Sequence, residues 1–371
     1  MPRIELINVT KKWGNGVAVD NLNMIIEDRE FVTLLGPSGC GKTTTLRMIA
    51  GLETPTAGKI IIGDHVVFDS DKGINVSASN RDIGFLFQNY ALWPHMTVYK
   101  NISFGLENLK WKKEDIKNRV NEVMETLQIS EFRDRYPSEL SGGQQQRVAI
   151  ARTLAPNPQV LFMDEPLSNL DAKLRSEMRT ELKRLHKDTD STFVYVTHDQ
   201  LEAMTLASRM CLINKGLLQQ YDKPLSVYNF PINLFVADFV GSPTMNFMNA
   251  KAKQESENVI NLEVLDIKIK YTSNEPVKLK GENVIIGIRP EFLLIRDGGS
   301  IHGLAYSTLP SGMETTVKIN LKDKILSAVQ FGAVDYAFDQ KINFDIIGKG
   351  VVLFDEESKV SFALGSCEVM K

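Results

Sequence analysis

Three glycines and a lysine set the tightest limit on this chain. The run Gly36-Pro37-Ser38-Gly39-Cys40-Gly41-Lys42-Thr43 fits G-x-x-x-x-G-K-[ST], a pattern that works only between a strand and a helix. Glycines let backbone N–H groups curl around phosphate oxygens, and the positive end of the following helix must point at the same anion. Both flanks are legible. Residues 31–35 form a short apolar run stopped by Gly36-Pro37, and from Lys42 the pattern turns helical through Leu46, Met48, Ile49 and Ala50 before Gly51. In this geometry Lys42 holds the β- and γ-phosphates and Thr43 ligates Mg2+ through its hydroxyl, while Pro37, Ser38, Cys40 and Thr44 complete the cradle. Cys40 serves as a small residue inside the loop.

A second element is Val160-Leu161-Phe162-Met163-Asp164-Glu165, an apolar strand that delivers two carboxylates at its C-terminal edge, where ligands gather in open α/β sheets. Asp164 is expected to bind Mg2+ through water. Glu165 is expected to orient and polarise the attacking water, because cleavage of a phosphoanhydride needs an in-line nucleophile and charge compensation more than covalent chemistry. A third element, Leu140-Ser141-Gly142-Gly143-Gln144, precedes a helix and makes another anion-receiving terminus. Two phosphate-binding helix starts with one set of carboxylates imply a head-to-tail dimer, in which Ser141, Gly142, Gly143 and Gln144 of one subunit close on the nucleotide held by the other.

The rest of the chain frames these elements. Its 371 residues suggest two or three domains. A net charge of −3 gives no sign of a nucleic-acid-binding surface, so no nucleic acid is expected. The three cysteines fit neither a disulfide framework nor a zinc knuckle, which suggests a reducing compartment. No apolar stretch approaches the roughly 18–20 residues of a membrane helix, and Met1-Pro2-Arg3-Ile4-Glu5 lacks a secretory segment, so any work at a membrane is peripheral. Residues 4–9 and 20–26 read as strands, 113–127 as an amphipathic helix, and 159–163 and 192–197 as strands leading into helices, an α/β pattern with a largely parallel sheet. Helical periodicity stops at Phe239-Val240-Gly241-Ser242-Pro243. The boundary is placed there: 1–238 as the nucleotide-binding domain with a helical subdomain at about 89–158, and 239–371 as a small all-β domain of alternating strands.

With these motifs in order, the chain resembles the ATP-binding cassette (ABC) family along nearly its whole length. Gln88 in Phe87-Gln88-Asn89-Tyr90 matches the family's Q-loop, Ser168-Asn169-Leu170-Asp171 its D-loop, and His198 its switch histidine, which contacts the γ-phosphate. Trp13 matches the aromatic that stacks on adenine. The resemblance implies that Gln88 contacts Mg2+ with Thr43 and Asp164, that Arg135 and Asp171 reach the nucleotide across the dimer, and that the segment 90–95 lines a groove for membrane subunits. Gly241–Phe247 and Gly287-Ile288-Arg289-Pro290-Glu291 are similar to the maltose-importer (MalK-type) group. They imply an OB-like regulatory (TOBE-type) second domain, sugar cargo, two transmembrane permease subunits, an extracytoplasmic solute-binding protein, a regulator at the C-terminal domain, and a place on the cytoplasmic face of the membrane. Polyamine, iron, sulfate or glycerol phosphate as cargo remains an alternative, as does a cassette acting on DNA or ribosomes. The roughly 50 residues between Gln88 and Ser141 hold no sustained heptads, which argues against the coiled coil of DNA-repair cassettes.

Overall fold

Apolar runs without alternation mark strands covered on both faces, and among the described residues three strands have every residue buried: Phe31–Leu35, Val160–Asp164 and Thr192–Val196. In the computed structural model, which describes residues 3–370, all three lie side by side in one sheet. Met1, Pro2 and Lys371 lie outside the described residues. The chain divides into two compact units, Met1–Pro224 and Leu225–Lys371.

The first unit runs β1 (Ile4–Trp13), β2 (Gly16–Ile26), β3 (Phe31–Leu35), α1 (Lys42–Ala50), β4 (Ala57–Ile62), β5 (His65–Asp69), β6 (Ile74–Asn75), β7 (Ile83–Leu86), α2 (Val98–Asn108), α3 (Lys113–Thr126), α4 (Gly142–Leu154), β8 (Val160–Asp164), α5 (Ala172–Asp188), β9 (Thr192–Val196), α6 (Gln200–Leu206), β10 (Arg209–Asn214) and β11 (Leu217–Asp222). One sheet has the order β11-β10-β3-β9-β8-β7, with β10, β3, β9, β8 and β7 paired in parallel and β11 antiparallel at one edge. Parallel strands cannot be joined by a tight turn, so helices must cross between them and cover the sheet. A second, antiparallel sheet, β2-β1-β4-β5-β6, has one core cluster in common with α1 and with Val160, Phe162, Val194 and Val196. The helical subdomain is held by a second cluster: Val98, Ile102 and Leu106 of α2, Ile116, Val120 and Met124 of α3, and Val148, Ala149 and Ile150 of α4 pack together at 0–7% exposure. Each of the larger of these side chains contributes roughly 1.5–3 kcal/mol on leaving water.

The second unit opens within the short helix α7 (Pro224–Asn229), which is followed by α8 (Leu234–Phe239). It continues as β12 (Asn246–Gln254), β13 (Val259–Val264), β14 (Ile267–Ser273), β15 (Asn283–Ile288), β16 (Leu293–Ile295), β17 (Ile301–Pro310), β18 (Glu314–Leu321), β19 (Lys324–Phe331), β20 (Lys341–Ile346), β21 (Val351–Asp355) and β22 (Ser361–Val369). Strands β12-β13-β14-β22-β21-β15 close into a barrel, and β16-β20-β17-β18-β19 form a five-stranded sheet that shares its core. Alternation selects the inner face; β18 alternates half-buried and buried residues in strict turn.

The boundary at 238/239 read from helical periodicity differs from the division at Pro224/Leu225, and Arg289 supplies the physical reason. This guanidinium, 1% exposed, donates through Nη1 to the carbonyls of Ala237 (3.1 Å) and Val240 and through Nη2 to that of Tyr228 (2.8 Å), while lying 4.0 Å over the Tyr228 ring. Leu234 N–H also bonds Lys359 O, beside an Asn233–Val360 bridge. Residues 225–240 are helical in pattern yet fold onto the β-strands.

Candidate active site

The glycine-rich loop is shaped by two close approaches. A Cβ on Gly36 (φ 153°) would stand 2.1 Å from Ile213 O, and one on Gly41 (φ 108°) 2.4 Å from Ala18 O, so β10 and the β2 backbone both press on the loop. Gly41 occupies the N-cap of α1 without a side-chain cap, which leaves the first helical N–H groups for an external acceptor. Lys42 is 6% exposed, and its ammonium donates to Gly36 O (2.8 Å) and Pro37 O (2.9 Å), which holds it across the mouth of the loop. Its Nζ also lies 3.8 Å from Cys40 Sγ. Burial pushes the Cys40 thiol up, an effect that nearby Lys42 partly offsets.

Strand β8 is the neighbour of β9 in the sheet and brings the carboxylates to the loop. Thr43 Oγ1 donates to Asp164 Oδ1 (2.9 Å), and Arg47, one turn further along α1, meets Asp164 Oδ2 at 3.3 Å. Glu165 adopts a left-handed backbone (φ 47°), its N–H bonded to Val196 O (3.1 Å) and its carbonyl to Ser168 Oγ (2.8 Å). Such a conformation in a non-glycine residue costs about 1–3 kcal/mol and persists where neighbours over-determine it. It turns the Glu165 carboxylate toward two other loops: Gln88 Nε2 and His198 Nδ1 lie 3.4 Å and 3.3 Å from Glu165 Oε2. The tertiary structure therefore gathers Lys42, Thr43, Asp164, Glu165, Gln88 and His198 in one place.

The remaining residues singled out in the sequence lie elsewhere in the unit. Trp13 closes β1 at 53% exposure with Lys11 Nζ 5.3 Å over its ring. Ser141 is the N-cap of α4 in a reciprocal box: Gln144 N–H donates to Ser141 Oγ (3.4 Å) and Ser141 N–H to Gln144 Oε1 (2.8 Å). The hydroxyl proton stays available for a second acceptor. Gly143 faces α5, where an added Cβ would meet Leu174 Cδ2 at 2.6 Å, and a Cβ on Gly142 would lie 3.8 Å from Leu170 Cδ2 in the loop before α5. Asp171 caps α5 by accepting from Leu174 N–H (3.0 Å), and Arg135 lies 5.2 Å over the Phe132 ring. Ser141 and Arg135 share no hydrogen bond or ion pair with Lys42, Asp164 or Glu165 among the described residues.

Within the segment 90–95, Tyr90 is 7% exposed and belongs to the helical core, whereas Trp93 is half-buried, packing on Phe104 with ring centroids 4.5 Å apart, and Ala91, Pro94 and His95 are exposed. Arg152 fixes the turn by donating to Tyr90 O (2.7 Å) and Ala91 O (2.6 Å). Arg47 and Arg152 escaped the sequence reading because a lone arginine on a helix has no motif; only its spacing from Lys42 could have flagged Arg47.

The fold and the gathered groups define a P-loop ATPase with a parallel core sheet and a separate helical subdomain. Comparison with known proteins narrows this class. The ABC transporter family matches residues 19–168, and the MalK OB fold domain matches 241–293. The trehalose/maltose import ATP-binding protein MalK of Thermococcus litoralis is 50% identical over 298 residues, 79% of each chain. Among solved structures, the ATP-binding cassette MJ0796, dimeric, post-hydrolysis and bound to ADP and Pi, shares 35% identity at a TM-score of 0.52 over 60% of this chain and 98% of that one. The cbiO1 protein of Clostridium perfringens, part of the ABC transporter complex cbiONQ, shares 28% identity at a TM-score of 0.56 over 60% and 89%. The chain belongs to the ABC transporter family, in its MalK-type branch of import ATPases, and it is an ATPase. No helix among the described residues is long and apolar enough to cross a membrane.

Proposed function

We propose that two copies of this chain bind two ATP molecules head to tail, close around them, and drive a pair of transmembrane permease subunits that import a sugar or oligosaccharide. One observation carries the two-subunit reading: Lys42, Thr43, Asp164, Glu165 and His198 converge, while the Ser141 helix start keeps its hydrogen bonds to its own first turn. Within this reading Ser141, Gly142, Gly143, Gln144, Arg135 and Asp171 face the partner's nucleotide, and Trp13 stacks on the base. Mg2+ fits the donors present. No group of three or more His, Cys, Asp or Glu side chains among the described residues could hold a metal alone, so phosphate oxygens and water would complete the shell around Thr43, Asp164 and Gln88. When bound, the ion offsets the charge developing on the phosphates.

The trehalose/maltose import relative supports sugar as cargo, and the cbiONQ neighbour supports assembly into a transporter complex. The site lies at the cytoplasmic face, an extracytoplasmic binding protein acts through the permease, and the second unit is regulatory. Changing Glu165→Gln tests the core of this reading. ATPase activity is expected to fall by about 10²–10⁴, and light scattering should show an ATP-dependent doubling of mass. Substantial turnover, or a mass that ignores ATP, refutes it. A sugar-dependent rise in ATPase rate in the reconstituted complex checks the cargo.

A further inference from the structure

One side chain ties the loop before α5 to the loop that carries His198. Arg175 stands one turn into α5 and reaches three groups. Its Nη2 donates to Leu170 O (3.1 Å), in the Ser168-Asn169-Leu170-Asp171 loop, and its Nη1 to Asp199 Oδ2 (3.5 Å), the residue after His198. Its Nε is buried without a hydrogen-bond partner and lies 3.9 Å from Glu202 Oε1. Glu202, 4% exposed, is itself anchored: Oε2 accepts from the Tyr195 hydroxyl (2.8 Å) and the Thr197 hydroxyl (2.7 Å), and Thr197 Oγ1 accepts from Asp199 N–H (2.9 Å). Asp199 also caps α6 through Leu201 and Glu202 N–H.

The arrangement is half-made. At 3.9 Å the Nε and Oε1 attract but do not hydrogen-bond, and a buried N–H without an acceptor is costly, so a short shift of the guanidinium reaches a better-satisfied state. The Leu170 loop is the part of this assembly that faces a second subunit in the head-to-tail arrangement, on which this inference rests. We propose that Arg175 is a positioning residue that couples the Leu170 loop to His198: engagement of that loop by the partner draws the guanidinium onto Glu202 and Asp199 and sets the histidine for the γ-phosphate. A shared element with two arrangements, biased from both ends, is the physical requirement for such coupling.

The test is steady-state ATPase kinetics of the full chain, with dimerisation read separately in a Glu165→Gln background. Arg175→Gln is expected to lower kcat about tenfold with KM for ATP within about twofold, since the lost interaction acts in the chemical step. Adding Glu202→Gln to Arg175→Gln should cost less than the product of the two single effects, the mark of groups acting as a unit. Arg175→Lys should recover part of kcat. Losses that multiply independently, a raised KM with unchanged kcat, or unchanged kcat with dimerisation intact overturn the proposal. Should Arg175→Gln fail to fold, Asp199→Asn carries the test, because asparagine keeps the α6 cap and removes the charge: kcat about threefold lower at constant KM supports the coupling, and unchanged kcat overturns it. A Glu165→Gln chain that never dimerises with ATP sinks the two-subunit reading instead.

Discussion

Gly41→Ala isolates what the phosphate loop requires of its backbone. At φ 108° an L-residue is strained, at about 1–3 kcal/mol. The new Cβ would lie 2.4 Å from Ala18 O, where ordinary contact begins at 3.4 Å. The obstacle is backbone in β2, so the loop itself must retreat by about 1 Å. That displacement takes N–H groups out of hydrogen-bond range of a bound phosphate, and losing two bonds to a charged acceptor at about 1.5 kcal/mol each weakens ATP binding about a hundredfold. Gly39→Ala is the matched control: φ is also positive (76°), yet nothing lies within 4 Å of its Cβ. It carries the strain without the clash and should weaken binding less than about tenfold. Anisotropy of a fluorescent ATP analogue measures both. Native-like affinity in Gly41→Ala, or a larger loss in Gly39→Ala, refutes the reasoning.

Three further outcomes follow from particular contacts. Ser141→Ala should cost about 1 kcal/mol of stability as a lost cap and leave ATP affinity unchanged while ATPase activity falls by more than tenfold; equal losses in binding and turnover would argue against action on the partner's nucleotide. Arg289→Met strands three carbonyls and should destabilise the second unit by about 3 kcal/mol in urea unfolding, with a loss under about 1 kcal/mol refuting its role in holding residues 225–240. The Asp345 carboxylate is held below its ordinary range first by the Ser300 N–H (2.8 Å) and then by Arg296 (2.5 Å). A lowered folded value means that its stabilisation is present above the unfolded value and lost as pH falls through the folded one, so Asp345→Asn should flatten the acid limb of a stability–pH curve; an unchanged limb refutes this.

Much of the site was legible because phosphate chemistry demands fixed local spacing. Gly36 through Thr43, Asp164-Glu165 and the Ser141 cap each need only a strand end or a helix start, which periodicity reveals. The sequence could not tell that Tyr90 would be buried, because burial depends on α2 and α4 arriving from elsewhere, nor that residues 225–240 would join the β-strands, because a guanidinium at 289 reaches back across about fifty residues to hold them.

Local rules alone determined the loop, the carboxylate strand, the amphipathic helices and the alternating strands of the second unit, since each follows from backbone geometry over a few residues. Only the tertiary structure decided which loops meet: the β3-β9-β8-β7 order sets His198 and Gln88 beside Glu165, and places Arg175 between Leu170, Asp199 and Glu202. Contacts between residues tens of positions apart arise from strand order and packing, which no short window of sequence encodes.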